Sequence, residues 1–232
     1  HINNPLLFSL SPLGYTYNTY TNYMNKVTLI HSTPDGDELI AYMARVSNPT
    51  NQANPNSSKL IKYLITHKHW SPFEMVNMCV EINTTRSISA QLLRHRSFSF
   101  QEFSQRYAQV DGLGDPIFPA LRSQDPDNRQ NSIDDIGLNC QVEWFKEIAS
   151  IYTQSSRLYK QMLNAGIAKE CAREILPMAS PTRLYMNGTL RSWIHYVELR
   201  SSNGTQKEHR DIALEIKKLI QQNYPQTYEA LS

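Results

Sequence analysis

Residues 75–85, MVNMCVEINTT, place Val76, Met78, Val80 and Ile82 at every second position, with Asn77, Cys79, Glu81 and Asn83 between them. In extended backbone successive side chains leave opposite faces, so this spacing gives one buried face and one polar face. Such a strand needs neighbours to pair with and a layer to cover its apolar side, and that requirement limits the possible folds most. VTLIHST (27–33), short and β-branched, reads as a first strand. The other periodic stretches have helical spacing. TPDGDELIAYMARVS carries Leu39, Ile40, Met43 and Val46, with Asp35 or Asp37 available as a cap. SSKLIKYLITHKHW repeats the pattern at Leu60, Ile61, Leu64 and Ile65, and Ser71-Pro72 is expected to stop it. RSISAQLLRHRS reads as a helix, QVEWFKEIASIYTQSSRLYKQMLNAG as a long amphipathic one, and AKECAREILP as a shorter one ended by Pro177. PTRLYMNGTLRSWIHYVELRSS and GTQKEHRDIALEIKKLIQQNY complete a helix-rich C-terminal half, whereas the Asp/Pro/Gly/Asn-rich residues 108–135 read as a long loop. Few strands, many helices and no βαβ alternation give an α+β class.

A chain of 232 residues is long enough to bury a sizeable core, and no repeat or composition break divides it. The formal net charge of +2 is too small to grip long nucleic acid by general electrostatics, so any anion site has to be local. Cys79, Cys140 and Cys171 are scattered, with no CxxC pair, which argues against a disulfide framework or zinc ribbon and fits a reducing cytosol. No apolar run is long enough to span a bilayer. The chain starts at His1, and HINNPLLFSLSPLGYTYNTYTNY is polar and rich in Tyr and Asn. Residues 1–23 read as an N-terminal extension or non-native segment before a native start at Met24, the alternative being an ordered arm. Residues 24–232 then form a single domain.

The local anion site has an obvious candidate. LLRHRSFSFQEFSQRY (92–107) packs Arg94, His95, Arg96 and Arg106 among serines and aromatics. Cations this close repel one another, and arginine forks with serine hydroxyls suit a phosphate. His95, between two arginines, is biased toward neutral and toward donating or stacking. The blander alternative is a solvated cationic surface neutralised by Glu81 or Glu102. Farther on, Asn187, Arg191 and His195 recur every four residues, a polar stripe if one helix holds them; such a stripe faces a site or another subunit. Arg200 ends that helix and could hold an anion or a carbonyl. Arg173 precedes a helix-ending proline, and Gln91 and Arg94 share a face. His67 and His69 have strand spacing and lack a companion carboxylate and cysteine set, so no metal site is expected. No Gly-rich phosphate loop or Ser–His–Asp order is present.

Together these pieces resemble the flavin-dependent thymidylate synthase family. Its Arg-His-Arg, seven residues, Ser hallmark matches Arg94-His95-Arg96 and Ser104. ARVS (44–47), HWSPFE (69–74), Gln91, EFSQRY (102–107), AREILP (172–177), NGTLRSWIHYVELR (187–200) and TQKEHR (205–210) also match, covering roughly Met24 to the C-terminus. The resemblance implies an α+β fold around a central, mostly antiparallel sheet with flanking helices, assembled in the cytoplasm as a homotetramer with shared sites. It implies reductive methylation of dUMP to dTMP, with methylenetetrahydrofolate as one-carbon donor and NADPH as reductant through bound FAD. By position, FAD would meet Ser71, Arg94, His95, Arg96, Ser97, Glu102, Thr189, Leu190, Arg191 and His195. The nucleotide would meet Gln91, Leu92, Leu93, Arg94, Glu102, Phe103, Ser104, Gln105, Arg106, Arg173 and Arg200. Arg200 would be catalytic, favouring ionisation of the pyrimidine ring, and no metal, nucleic acid or membrane is implied. Gly204 stands where some members have a flavin-contacting histidine, and His195 where others have asparagine. The other readings are a non-catalytic nucleotide-binding relative and a basic, aromatic nucleic-acid module.

Overall fold

The structure, a computed structural model, describes residues 25–113, 118 and 120–231. The expected extension 1–23 and the start at Met24 lie outside the described residues. Contacts divide the chain into two compact units. One, the sheet unit, comprises Lys26–Ile82, Gln91–Gln101 and Leu184–Ser232; the other, the long-helix unit, holds Asn83–Ala90 and Glu102–Arg183. Among the described residues the larger sheet has the order β1-β2-β6-β3, built from β1 (Lys26–Ser32), β2 (Asn77–Thr85), β6 (Pro181–Thr189) and β3 (Ser99–Glu102). Mixed helix and antiparallel sheet make this the expected α+β class.

In the sheet unit the alternation at β2 is realised: Val76, Met78, Val80 and Ile82 are each fully buried, at 0% exposure. Helix α1 (Gly36–Ala44) follows β1, and α2 (Ser58–Thr66) follows a short 3-10 turn. Neither candidate aspartate caps α1 with its side chain. Asp37 instead caps α8 (Pro225–Leu231), accepting from the Gln226 and Thr227 amides at 2.8 and 3.2 Å and from the Thr227 hydroxyl at 2.6 Å. Burial raises its carboxyl pKa although these bonds pull it down. Helix α2 ends before Ser71-Pro72. Lys68 takes φ 57, and the Lys68 and His69 amides donate back to Ile65 and Leu64, a Schellman termination that needs no proline. Ser71–Glu74 then form a 3-10 turn.

The stretch expected to be helical from Pro181 is a strand first. Thr182, Leu184 and Met186 in β6 are buried while Arg183 and Tyr185 are exposed, a period of two that the helical reading overlooked. Helix α6 (Leu190–Arg200) starts only after Thr189, whose hydroxyl accepts from the Ser192 amide at 3.3 Å. Asn187 therefore lies on a strand and leaves the Arg191–His195 stripe. Trp193 of α6 donates from its indole to the Met78 carbonyl at 2.9 Å, and α6 packs on α7 (Lys207–Asn223).

The long-helix unit centres on α4 (Leu138–Asn164). Phe145 and Ala149 pack with Phe118, and Tyr159 packs with Val110 and Ala172. The expected loop 108–135 holds a 3-10 turn at Val110–Leu113 and a hairpin of β4 (Ser123–Gln124) with β5 (Ser132–Ile133). Asp125 closes the hairpin by accepting from the Asp127 and Asn128 amides and the Asn131 side chain, and these bonds lower its pKa. Helix α3 (Arg86–Leu92) belongs to this unit up to Ala90, and α5 (Lys169–Ala172) leads into a 3-10 turn at Arg173–Ile175.

In the sheet unit, Gly188 of β6 lies flat against Phe98: an added Cβ would fall 2.4 Å from the ring. Gly188→Ala is expected to displace Phe98 and to cost about 1–3 kcal/mol. Thermal denaturation should show a midpoint lower by several degrees; an unchanged midpoint would contradict this packing.

Candidate active site

The basic motif forms a turn, because α3 ends at Leu92 and the Arg94, His95 and Phe98 amides donate to Gln91, Leu92 and His95 carbonyls. Phe98 anchors the turn, with its ring centroid 4.5 Å from Trp193 and 6.0 Å from Tyr196. Arg94, Arg96 and Ser97 remain exposed while His95 turns inward. There the Arg200 Nε donates to His95 Nε2 at 3.1 Å. An imidazole nitrogen accepts only when it carries no proton, so His95 is neutral and its other nitrogen holds the hydrogen. Its pKa is lowered to about 4, by burial first and then by the charges of Arg200 and His195. The neutrality expected from the flanking arginines is present, with different causes.

His95 meets Tyr196 and His209 edge-on, at centroid distances of 4.9 and 6.0 Å. Both partners are fully buried. Burial raises the Tyr196 phenol pKa and lowers that of His209 to about 3, with Arg200 and His95 adding to the latter. Among the described residues the Tyr196 hydroxyl and His209 Nε2 have no hydrogen-bond partner. Sequence reasoning assigned neither residue. Its one available signal was His209 falling on the apolar period of Ile212, Ala213, Ile216 and Ile220.

A cleft of about 710 Å³ lies beside this cluster in the sheet unit. Ser97, Thr189, Arg191 and His195, four of the residues expected at FAD, line it. Lys68, Trp70 and Glu74 also line it and were missed; Arg191 is ion-paired with Glu74. Ser71 begins the turn that carries Glu74. Leu190 and Leu92 have fully buried side chains, which leaves only backbone to meet a ligand, and the Leu190 amide donates to Val76 at 2.7 Å. Leu93 is exposed. An added Cβ at Gly204 meets nothing within 4 Å.

The long-helix unit carries the other expected residues except Gln91, which belongs to the sheet unit. One Glu102 oxygen, Oε1, accepts from Arg86 at 2.7 Å, Ser89 at 2.6 Å and Thr182 at 2.9 Å, and the second oxygen takes none of these bonds. Arg106 pairs with Glu170 at 3.2 Å, and Arg173 with Glu174 at 3.4 Å. Ser104 and Phe103 are half-buried, and buried Gln105 has an Nε2 with no partner among the described residues. The carboxylates that an idle cationic surface would use are engaged elsewhere, Glu102 with Arg86 and Glu81 with the Tyr185 hydroxyl at 2.9 Å. His67 stacks on Tyr63 at 4.0 Å, and among the described residues no three His, Cys, Asp or Glu side chains gather to hold a metal.

The family model described as thymidylate synthase complementing protein matches residues 28–226. The chain belongs to the flavin-dependent thymidylate synthase family. It is 52% identical over 204 residues to a probable flavin-dependent thymidylate synthase of Paramecium bursaria Chlorella virus 1, covering 88% of this chain and 94% of that one. It is also 52% identical to the Synechocystis flavin-dependent thymidylate synthase, over 86% of this chain and 90% of the other. Among solved structures, the UMP/dUMP methylase PolB from Streptomyces cacaoi bound with 5-Br dUMP superposes with a TM-score of 0.78 at 27% identity. That match covers 89% of this chain and 94% of PolB. In this family member the Arg-His-Arg turn thus holds two outward arginines and one inward, neutral histidine.

Both buried histidines bind protons less readily folded than unfolded. Below about pH 6.5 the unfolded chain takes up protons that the folded chain refuses. Stability is therefore complete above that pH and falls as pH drops toward about 4 and then about 3. The slope is at most about 1.4 kcal/mol per pH unit for each histidine, less for half-buried His95. Urea unfolding at about pH 7 and about pH 5 tests this, and His209→Leu should flatten the dependence; an equal loss in the variant would refute the assignment to His209.

Proposed function

We propose that this chain is an enzyme that converts dUMP to dTMP by reductive methylation, with methylenetetrahydrofolate as carbon donor and NADPH as reductant of a bound FAD. The observation that carries the reading is the half-buried Arg200 guanidinium, oriented by neutral His95. That bond uses Nε and leaves the two terminal nitrogens for a ligand. Membership of the family supports the reaction, and PolB, an UMP/dUMP methylase bound with 5-Br dUMP, supports the substrate class.

The donor set of the cleft fits a flavin nucleotide: hydroxyls of Ser97, Thr189 and Ser192 with cations of Lys68 and Arg191 suit a diphosphate, and Trp70 suits a flat ring. Ser71, Ser97, Thr189, Arg191 and His195 would hold it, with Arg94, His95 and Arg96 from the turn, Leu190 through its backbone and Glu102 through its second oxygen. Bound flavin supplies hydride-transfer chemistry. By their place in the family's motifs, Gln91, Leu92, Leu93, Arg94, Glu102, Phe103, Ser104, Gln105, Arg106, Arg173 and Arg200 would meet the nucleotide. We read the enzyme as a cytoplasmic homotetramer with shared sites.

Pyrimidine carbon five is a weak nucleophile. Arg200 offsets this by stabilising negative charge on the ring as the N3 proton passes to solvent water, which raises electron density at carbon five. A neutral His95 keeps the guanidinium aimed without adding a competing positive charge. Among the described residues no base is hydrogen-bonded to the Ser104 hydroxyl, so it serves as a positioning donor rather than a nucleophile.

An absorbance scan of purified protein should show a flavin spectrum. Arg200→Ala should abolish tritium release from dUMP labelled at carbon five while flavin stays bound; unchanged release would sink the assignment. Arg94→Ala should lower the flavin content that survives gel filtration. If sites are shared, mixing inactive Arg94→Ala and Arg106→Ala proteins should restore some turnover, and no recovery after subunit exchange would argue for self-contained sites.

A further inference from the structure

Helix α7 buries Ile212, Ala213, Ile216 and Ile220, and at its first turn the same face carries His209. The ring is fully inaccessible yet holds two polar nitrogens, one of them unpartnered among the described residues. Burying an unpaired polar group is costly, so packing alone would favour an aliphatic residue at this position.

Hydrogen bonding supplies the missing reason. Gln206 Nε2 donates to Glu208 Oε2 at 2.9 Å. A carboxylate only accepts, so the Gln206 amide has its nitrogen toward Glu208 and its oxygen turned away. That oxygen accepts from Gln91 Nε2 at 2.7 Å, which turns the Gln91 oxygen toward His209. The Gln91 oxygen lies 3.3 Å from His209 Nδ1, so the proton of the neutral ring sits on Nδ1. A pKa lowered to about 3 agrees with a ring that stays neutral. Each amide in the row has one orientation, set at one end by a carboxylate and at the other by an imidazole N–H. Flipping Gln91 would oppose oxygen to oxygen at Gln206 and N–H to N–H at His209.

We propose that His209 is a positioning residue for nucleotide recognition, locking the Gln91 amide so that its remaining N–H is offered to an acceptor atom of the nucleotide. The inference rests on the reading that Gln91 meets dUMP. His209 touches no ligand in this arrangement and acts through Gln91, while its ring also supports His95 edge-on.

The test uses full-length, flavin-loaded enzyme and measures the dissociation constant for dUMP, with flavin content and thermal midpoint as controls. His209→Leu keeps volume and removes the donor; it should weaken dUMP about three- to tenfold, the range of one net hydrogen bond, at unchanged flavin content. His209→Asn, whose amide nitrogen falls near the lost Nδ1, should recover most of the affinity. In a Gln91→Ala background His209→Leu should add nothing, because the path it acts through is gone. Gln206→Ala releases the same amide from its exposed end and should weaken dUMP in the same sense without disturbing the core. Wild-type affinity in His209→Leu, additive losses in the double variant, or Asn no better than Leu would overturn the proposal. Wild-type protein that fails to bind dUMP would defeat the functional reading itself. If the wild type binds and Gln91→Ala is silent, only the inference falls.

Discussion

The seat of Phe98 on Gly188 holds the basic turn in place. A turn bearing two exposed arginines and a histidine has little reason to stay ordered, since its charges repel and its polar groups prefer water. The ring supplies that reason. Gly188 lacks the Cβ that would stand 2.4 Å away, so Phe98 lies directly on the strand, against Trp193 and Tyr196. With Phe98 fixed, His95 three residues earlier is drawn inward, and the neighbouring arginines are turned outward. One missing side chain thereby divides the motif into a buried neutral part and an exposed charged part.

That division governs the electrostatics. Burial makes protonation of His95 and His209 unfavourable, and the Arg200 charge reinforces it. Among the described residues Arg200 pairs with no carboxylate, and it is oriented by a lone pair on His95. An acid at that position would orient the guanidinium equally well, but it would neutralise much of the field on which the proposed chemistry depends. The contrast with Arg191 is instructive, because that side chain pairs with Glu74 among the residues lining the cleft. An ion-paired arginine can still hold a phosphate, whereas stabilising charge that grows on a ring requires an uncompensated cation.

Much of the fold was legible from local pattern. The β2 alternation and the long period of α4 survive in the structure because each is long enough for one period to dominate. What escaped was decided by neighbours. Strand β6 was obscured because its polar Asn187 falls four residues before Arg191, at a spacing that also suits a helix; pairing in the sheet settles it, which no local window contains. Asp37 reads as a cap for its own helix, yet it caps α8, nearly 190 residues on. The cationic residues of the candidate site stood out because clustered arginines are unusual in a near-neutral chain. Trp70 and His209 were not, since a tryptophan near a turn and a histidine on an apolar period look like ordinary packing until their partners are known.

The cysteines bear on how such a site has to work. Cys79 is buried in β2 and burial raises its pKa, so it is poorly suited to supply a thiolate. Cys140 and Cys171 are exposed on α4 and α5. Activation by adding a sulfur to the ring would need a thiolate held against the pyrimidine; activation by charge needs only a guanidinium kept uncompensated and aimed. The half-buried neutral imidazole beside Arg200 meets both conditions with one hydrogen bond. Replacing His95 with a carboxylate would preserve the aim and remove the charge, which separates this arrangement from a simple structural contact.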